Sequence, residues 1–311
     1  MEKKYILVND NFTEEERNQI AIQIKPKNQN LIEKEFESLR SIGQEAYKMS
    51  ERCRIGNAIV DYFTFPQRLC TKGKYNVNFF EFIINIEYFK QKKFIQNMME
   101  YYNNVKNKNK QKNNYVVLKE VYNICISAIN IIRPIIYMEI YSKYKPNTVL
   151  DFCAGWGGAA VAASALNIPN YIGIEINDNL KEPYEKLCIF LSKSSSTSIT
   201  MYFENALNVD YSKLNYDLVF TSPPYYFIQK YEKNTIYKDK DEMDKLFYKP
   251  LFTKTFNHLK IGGKYILNVN KEVYERVCIS LLGEAMEIFP YKKSKRQNNY
   301  KEMVYVWNKY F

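Results

Sequence analysis

Residues 148–158 read Thr-Val-Leu-Asp-Phe-Cys-Ala-Gly-Trp-Gly-Gly, and Ala-Ala-Val-Ala-Ala-Ser-Ala follows directly. A short β-prone run, a turn holding three glycines and an alanine-rich stretch spell strand, tight turn, helix. Glycines at such a turn let backbone approach a ligand closely and present amide groups at a helix N-terminus. Downstream, YIGIEIN (171–177), SITMYFEN (198–205) and YDLVFTSPP (216–224) are further apolar runs closed by turn signals, with amphipathic stretches between several of them. DEMDKLFYKPLFTKTFNHLK (241–260) reads as a helix despite Pro250, stopped by Gly262 and Gly263. Strand KYILNVN (264–270), helix KEVYERVCISLLG (271–283) and the final strands AMEIFPYKK and KEMVYVWNK complete the pattern. Five β-α repeats and a closing hairpin predict an α/β, Rossmann-like sheet of about seven strands with the last one antiparallel.

Upstream of Pro146 the composition changes. FTEEERNQIAIQI (12–24) and LIEKEFESLRSIGQEAYKMSERC (31–53) carry apolar residues at helical spacing, with Thr13 as a plausible N-cap. KNKNKQKNN (106–114) has almost no apolar content and reads as an exposed loop. The expected division is 1–145, a mainly helical N-terminal region and candidate for DNA recognition, and 146–311, the catalytic sheet. IVDYFTFPQRLCTKGKY (59–75) interleaves aromatics with Arg68, Lys72 and Lys74, a pattern that stacks bases and grips phosphates, or equally an aromatic core segment beside solvated lysines.

The 45 Lys and Arg against 34 Asp and Glu leave a net charge of +11, which favours a polyanion as partner. One histidine, His258, excludes multi-histidine metal sites and makes a Ser-His-Asp triad rest on a single residue. The six cysteines are far apart with no Cys-x-x-Cys pair, so no metal site is expected and the thiols read as those of a reducing compartment. The first residues put charges where a signal peptide needs an apolar stretch, and no apolar run approaches a membrane span. The expectation is a soluble, intracellular protein that is not secreted.

Ligands of such sheets bind at the carboxyl ends of the strands. Glu175 ends the second strand, where an acid can accept both hydroxyls of a ribose. Asn205 follows the third, where it can read an adenine edge or cap the next turn. After the fourth come Thr221-Ser222-Pro223-Pro224-Tyr225-Tyr226. Two consecutive prolines remove two amide donors and fix φ, so nearby carbonyls are held rigidly as acceptors. An exocyclic amino group on a base needs such acceptors, and Tyr225 would stack on the base, a contact worth about 1–3 kcal/mol.

The ordered set CAGWGG, GIEIN, ENA and TSPPY resembles the S-adenosylmethionine-dependent DNA amino-methyltransferases, in particular the phage and giant-virus type. The likeness covers roughly Arg133 to Trp307. It implies that Asp151, Cys153, Gly155 and Gly157 belong to the methionine side of the cofactor site, that Glu175 holds the ribose and Asn205 the adenine, and that Ser222, Pro223, Pro224 and Tyr225 are the catalytic set, with Ser222 also near the cofactor. Arg133 resembles the residue ahead of strand one that helps hold the cofactor carboxylate. Where the family usually has proline and phenylalanine after the first aspartate, Phe152 and Cys153 stand here, so the aromatic that covers the cofactor is displaced or replaced. Ser222 in place of aspartate or asparagine leans toward cytosine N4 over adenine N6. The implied reaction is direct in-line displacement on a flipped base in double-stranded DNA, with no covalent intermediate. Lys292, Lys293, Lys295 and Arg296 join Arg68, Lys72 and Lys74 as expected phosphate contacts, and a cognate restriction endonuclease is a candidate partner. Two alternatives stand beside this reading: a methyltransferase for RNA or a protein glutamine, and an inactive DNA-binding subunit of the same fold.

Overall fold

The computed structural model describes residues 7–73, 75–109, 111–226, 236–291 and 303–310. The described residues divide into two compact units, one made of those up to Gln29 with Thr64–Asn130, the other of those in Asn30–Phe63, Ile131–Tyr226 and from 236 onward.

In chain order the N-terminal helices are α1 (Glu14–Ile24), α2 (Gln29–Ile42), α3 (Asn57–Cys70), α4 (Phe79–Ile84), α5 (Ile86–Phe89), α6 (Lys93–Tyr101), α7 (Asn114–Cys125) and α8 (Pro134–Tyr144). Thr13 caps α1 in a full capping box with Glu16, as its position in the sequence predicts. Asn78 and Glu81 repeat the device at α4. The first unit has its own aromatic core, in which Phe79 meets Tyr122 edge-on with centroids 5.6 Å apart and Phe82 packs on Phe89. Each such ring stabilises by about 2 kcal/mol through burial alone. The lysine-asparagine tract is exposed at the residues described apart from half-buried Asn107, and Asn113 near its end caps α7.

The second unit holds a seven-stranded sheet in the order β3-β2-β1-β4-β5-β7-β6. Its strands are β1 (Thr148–Asp151), β2 (Asn170–Glu175), β3 (Ser198–Phe203), β4 (Leu218–Thr221), β5 (Lys264–Val269), β6 (Glu287–Pro290) and β7 (Met303–Asn308). The first five are parallel, and β7 lies antiparallel between β5 and β6. The order reverses at β1 and β4, so the switch point of the sheet falls between those two strand ends, where open α/β sheets bind ligands. The interleaved helices are α9 (Gly158–Ala165), α10 (Lys181–Ser192), α11 (Lys240–Met243), α12 (Lys249–Asn257), α13 (Lys271–Val273) and α14 (Ile279–Leu282). A π-helical turn at Asp244–Tyr248 joins α11 to α12 and is followed directly by Pro250 in the first turn of α12. Asn30–Phe63 belongs to this unit as well: Phe36 and Phe63 each pack on Phe190 of α10, with centroids 5.7 Å apart.

Candidate active site

The turn after β1 needs its glycines for different reasons. Gly155 (φ 57°) and Gly157 (φ 93°) lie in the left-handed region. A Cβ on Gly157 would stand 2.7 Å from Leu187 Cδ2, and one on Gly158 would stand 2.5 Å from the Ile132 carbonyl oxygen. At Gly155, by contrast, an added Cβ would meet only the Cys153 carbonyl among the described residues, at 3.8 Å, so the turn opens onto space there. Gly157 is the N-cap of α9.

Glu175 does more than sequence reasoning asked of it. One carboxylate oxygen accepts the Gly155 N–H and the other the Asn177 N–H, both at 2.8 Å. Burial raises its pKa to about 7 against the pull of those amides. Tyr184 of α10, which the sequence did not single out, donates its hydroxyl to the Ala154 and Gly155 carbonyls (3.2 and 3.1 Å). Only its helical position, facing the turn, could have flagged it.

Asp151 is fully buried. Its carboxylate accepts the Thr221 hydroxyl at 2.7 Å and the Cys153 N–H at 3.2 Å, with the Tyr171 hydroxyl at 3.5 Å. Burial pushes its pKa up to about 6. The residue lies under the turn and ties the end of β1 to the end of β4, one residue before Ser222. Phe152 is buried against Phe252 in the core, with centroids 6.2 Å apart, and half-buried Cys153 packs at the edge of the same core. Phe152 is therefore spent on packing. Asn205 uses its side-chain oxygen to accept the Leu207 N–H (3.0 Å), which closes the turn after β3 and leaves its amide nitrogen as what it offers a ligand.

At the β4 end, Thr221 is buried and Ser222, Pro224 and Tyr225 are half-buried. The Pro224 carbonyl is engaged by the Tyr248 hydroxyl, so the acceptor role falls to a Ser222 oxygen and the Pro223 carbonyl. The Ser222 and Tyr225 hydroxyls both reach Asn268 Oδ1, at 3.2 and 3.1 Å. Tyr226, the second tyrosine of the string, is a core residue: its hydroxyl donates to Asp244, which Arg276 also holds at 3.0 and 2.8 Å.

Other expected site residues are placed elsewhere. Arg133 precedes α8, and the neighbouring Ile132 carbonyl abuts Gly158, yet its guanidinium donates to the Glu51 and Cys53 carbonyls at 2.6 and 2.8 Å. Arg68, expected on phosphates, is instead 7% exposed, sits 5.3 Å from the Phe65 ring centroid, and has its pKa lowered to about 9 by burial. Of the two readings of residues 59–75, the aromatic core segment is the one Arg68 and Phe65 follow. Lys72 pairs with Glu81 at 2.6 Å. Lys74, Lys292, Lys293, Lys295 and Arg296 lie outside the described residues. Lys119, not anticipated, stands 4.6 Å over Tyr122, and burial with nearby Arg68 and Lys25 lowers its pKa to about 7. No two of the six cysteines form a disulfide. Among the described residues no helix is long and apolar enough to cross a membrane.

A glycine turn and an acid at the β1 and β2 ends are thus joined through a buried aspartate to a proline-fixed loop at the β4 end. The chain belongs to the RNA cap guanine-N2 methyltransferase family, whose model matches residues 146–310. That family is one of methyltransferases, and the sheet that its model matches has a Rossmann-like order. Among solved structures the chain is similar to TrmN from Thermus thermophilus (17% identity, 57% of this chain and 48% of that one, TM-score 0.43). It is likewise similar to an S-adenosylmethionine-dependent O-methyltransferase from Thermotoga maritima (13% identity, 62% and 70%, TM-score 0.42) and to the tRNA m1G37 methyltransferase of M. jannaschii (16% identity, 52% and 42%, TM-score 0.37). The chain spans about half the length of TrmN. No curated protein sequence matches it. The residues present fit the cofactor: the turn is open at Gly155, and Glu175 and Asn205 stand at the next two strand ends.

Proposed function

We propose that this methyltransferase acts on the exocyclic amino group of a nucleobase within a polynucleotide. One observation carries the reading: the buried Asp151–Thr221 bond ties the glycine turn to Ser222-Pro223-Pro224-Tyr225, so acceptors for an amino group stand one strand away from the cofactor turn. When bound, the cofactor supplies a methyl group on a positively charged sulfur, open to displacement by an amine. Gly155 and Gly157 receive its methionine part, with Cys153 at the margin of that site, Glu175 accepts from its ribose, and the Asn205 amide donates to its adenine. Ser222 and Pro223 accept the two amino N–H bonds of the base, which localises the nitrogen lone pair for in-line attack. Tyr225 covers the base. The amino proton leaves to water after attack, so no histidine is required.

The Ser-Pro-Pro-Tyr string resembles that of DNA amino-methyltransferases and supports cytosine N4 or adenine N6 of a flipped base in double-stranded DNA as the target. A second reading, guanine N2 in RNA, is favoured by the description of the family that matches residues 146–310. Incubation with labelled cofactor and duplex DNA, RNA or protein as sole acceptor separates the cases. Label in a polynucleotide is expected, and label in protein alone would overturn the proposal.

A further inference from the structure

Asn268 sits on β5, 1% exposed, opposite the β4 end. Its Nδ2 donates to the Met303 carbonyl of β7 at 3.1 Å. A carbonyl oxygen only accepts, so the side-chain amide is held one way round, with Oδ1 toward Ser222 Oγ (3.2 Å) and the Tyr225 hydroxyl (3.1 Å). The Tyr225 hydroxyl also lies 3.4 Å from the Asn268 carbonyl and 3.4 Å from Ser222 Oγ. An amide oxygen donates nothing. Each hydroxyl has one proton, and Asn268 draws both. Toward any other group, each hydroxyl then has lone pairs to offer.

We propose that Asn268 is a positioning residue that fixes the hydroxyl protons of Ser222 and Tyr225, so that Ser222 Oγ meets the base as an acceptor only and selects a base bringing an amino N–H over one bringing a carbonyl. The inference rests on the reading of the site as an amino-methyltransferase and names the device by which it tells amino from keto. A keto oxygen in the same place meets lone pairs, and can be received only if a hydroxyl gives up Asn268. Sequence reasoning could not reach this, because Asn268 is 46 residues from Ser222 and looks like an ordinary strand residue in KYILNVN.

The test compares wild type, Asn268→Ala, which removes the acceptor, and Asn268→Asp, which keeps an acceptor before the hydroxyls at nearly the same volume. Competition binding uses oligonucleotides carrying the amino base and the same oligonucleotides carrying its keto counterpart. Wild type should prefer the amino form by about tenfold, one good hydrogen bond's worth. Asn268→Ala should bring the ratio near unity while the cofactor dissociation constant stays within about twofold, and Asn268→Asp should keep most of the preference. An unchanged ratio in Asn268→Ala, or equal loss in both variants, overturns the proposal. A substrate-free readout stands beside it. In protein labelled with 13C-tyrosine, with the Tyr225 signal assigned through Tyr225→Phe, the phenol pKa should fall in Asn268→Ala, because an accepting amide favours the protonated phenol. No change there also overturns it. If wild type methylates no base amino group, the functional reading fails, and the tyrosine titration still decides what Asn268 does.

Discussion

The two halves of the switch point are built from opposite chemistry. At the β1 to β3 ends left-handed glycines open the turn, Glu175 and Tyr184 hold its own amide and carbonyl groups, and the Asn205 amide nitrogen is the donor on offer. At the β4 and β5 ends prolines have removed donors, and carbonyls and the proton-committed hydroxyls of Ser222 and Tyr225 offer acceptors. Asp151 and Thr221 join the halves through one buried hydrogen bond. One half therefore suits a cofactor whose purine accepts from Asn205 and whose ribose donates to Glu175, the other a substrate that brings an amino donor. A methyl-transfer site needs both, and the comparison predicts that they fail separately.

The largest effects should come from breaking each half alone. Ser222→Ala combined with Tyr225→Ala should lower methyl transfer by about a hundredfold or more while cofactor affinity, read by calorimetry, stays within about twofold. Gly157→Val should do the reverse, weakening cofactor binding by at least about tenfold, because the left-handed backbone and Leu187 both oppose a side chain. Loss of both functions in either variant would erase the division.

A smaller, graded effect should follow pH. Glu175 titrates near 7, and only its charged form is a full acceptor for the Gly155 amide and a ribose. Cofactor affinity should therefore fall by about tenfold between pH 8 and pH 6, and Glu175→Gln should flatten the profile. Stability of the apoprotein runs the other way. Asp151 and Glu175 both have folded-state pKa values raised above the unfolded ones, so between about pH 4 and 7 the folded chain binds more protons and stability declines as pH rises. Thermal unfolding across that window, with Asp151→Asn and Glu175→Gln beside wild type, checks the sign.

The alternation of apolar runs and turn signals after Pro146 was enough to read the strands, their order of use and the antiparallel close, because period and turn chemistry are local properties. The glycine turn, Glu175 and Ser222 to Tyr225 were legible for the same reason: each directly follows a strand. What was not legible depended on side chains meeting across the sheet. Asn268, Tyr184 and the Asp151–Thr221 bond bring together residues 29 to 70 apart in sequence. Arg68 misled because basic residues among aromatics look alike in sequence whether a helix turns them to solvent or into its core. The unit boundaries also follow packing, since Phe36 and Phe63 meet Phe190 far along the chain.

The smallest predicted effects lie furthest from the switch point. Tyr184→Phe removes a buried donor to the Ala154 and Gly155 carbonyls and should cost about 1 kcal/mol of stability with a few-fold loss of cofactor affinity. Lys72→Ala should lower stability by at most about 1 kcal/mol in urea unfolding by removing the ion pair with Glu81, which keeps its bond to Asn78, and should leave nucleic-acid affinity within about twofold, as an intramolecular ion pair would and a phosphate contact would not.

The most direct test of the central claim is to digest the polynucleotide methylated by wild type to nucleosides and locate the new methyl group by mass spectrometry. The acceptor-built half of the site predicts a methyl on an exocyclic nitrogen, as N4-methylcytosine, N6-methyladenine or N2-methylguanine. A methyl on a ribose oxygen, a ring carbon or a ring nitrogen would contradict it.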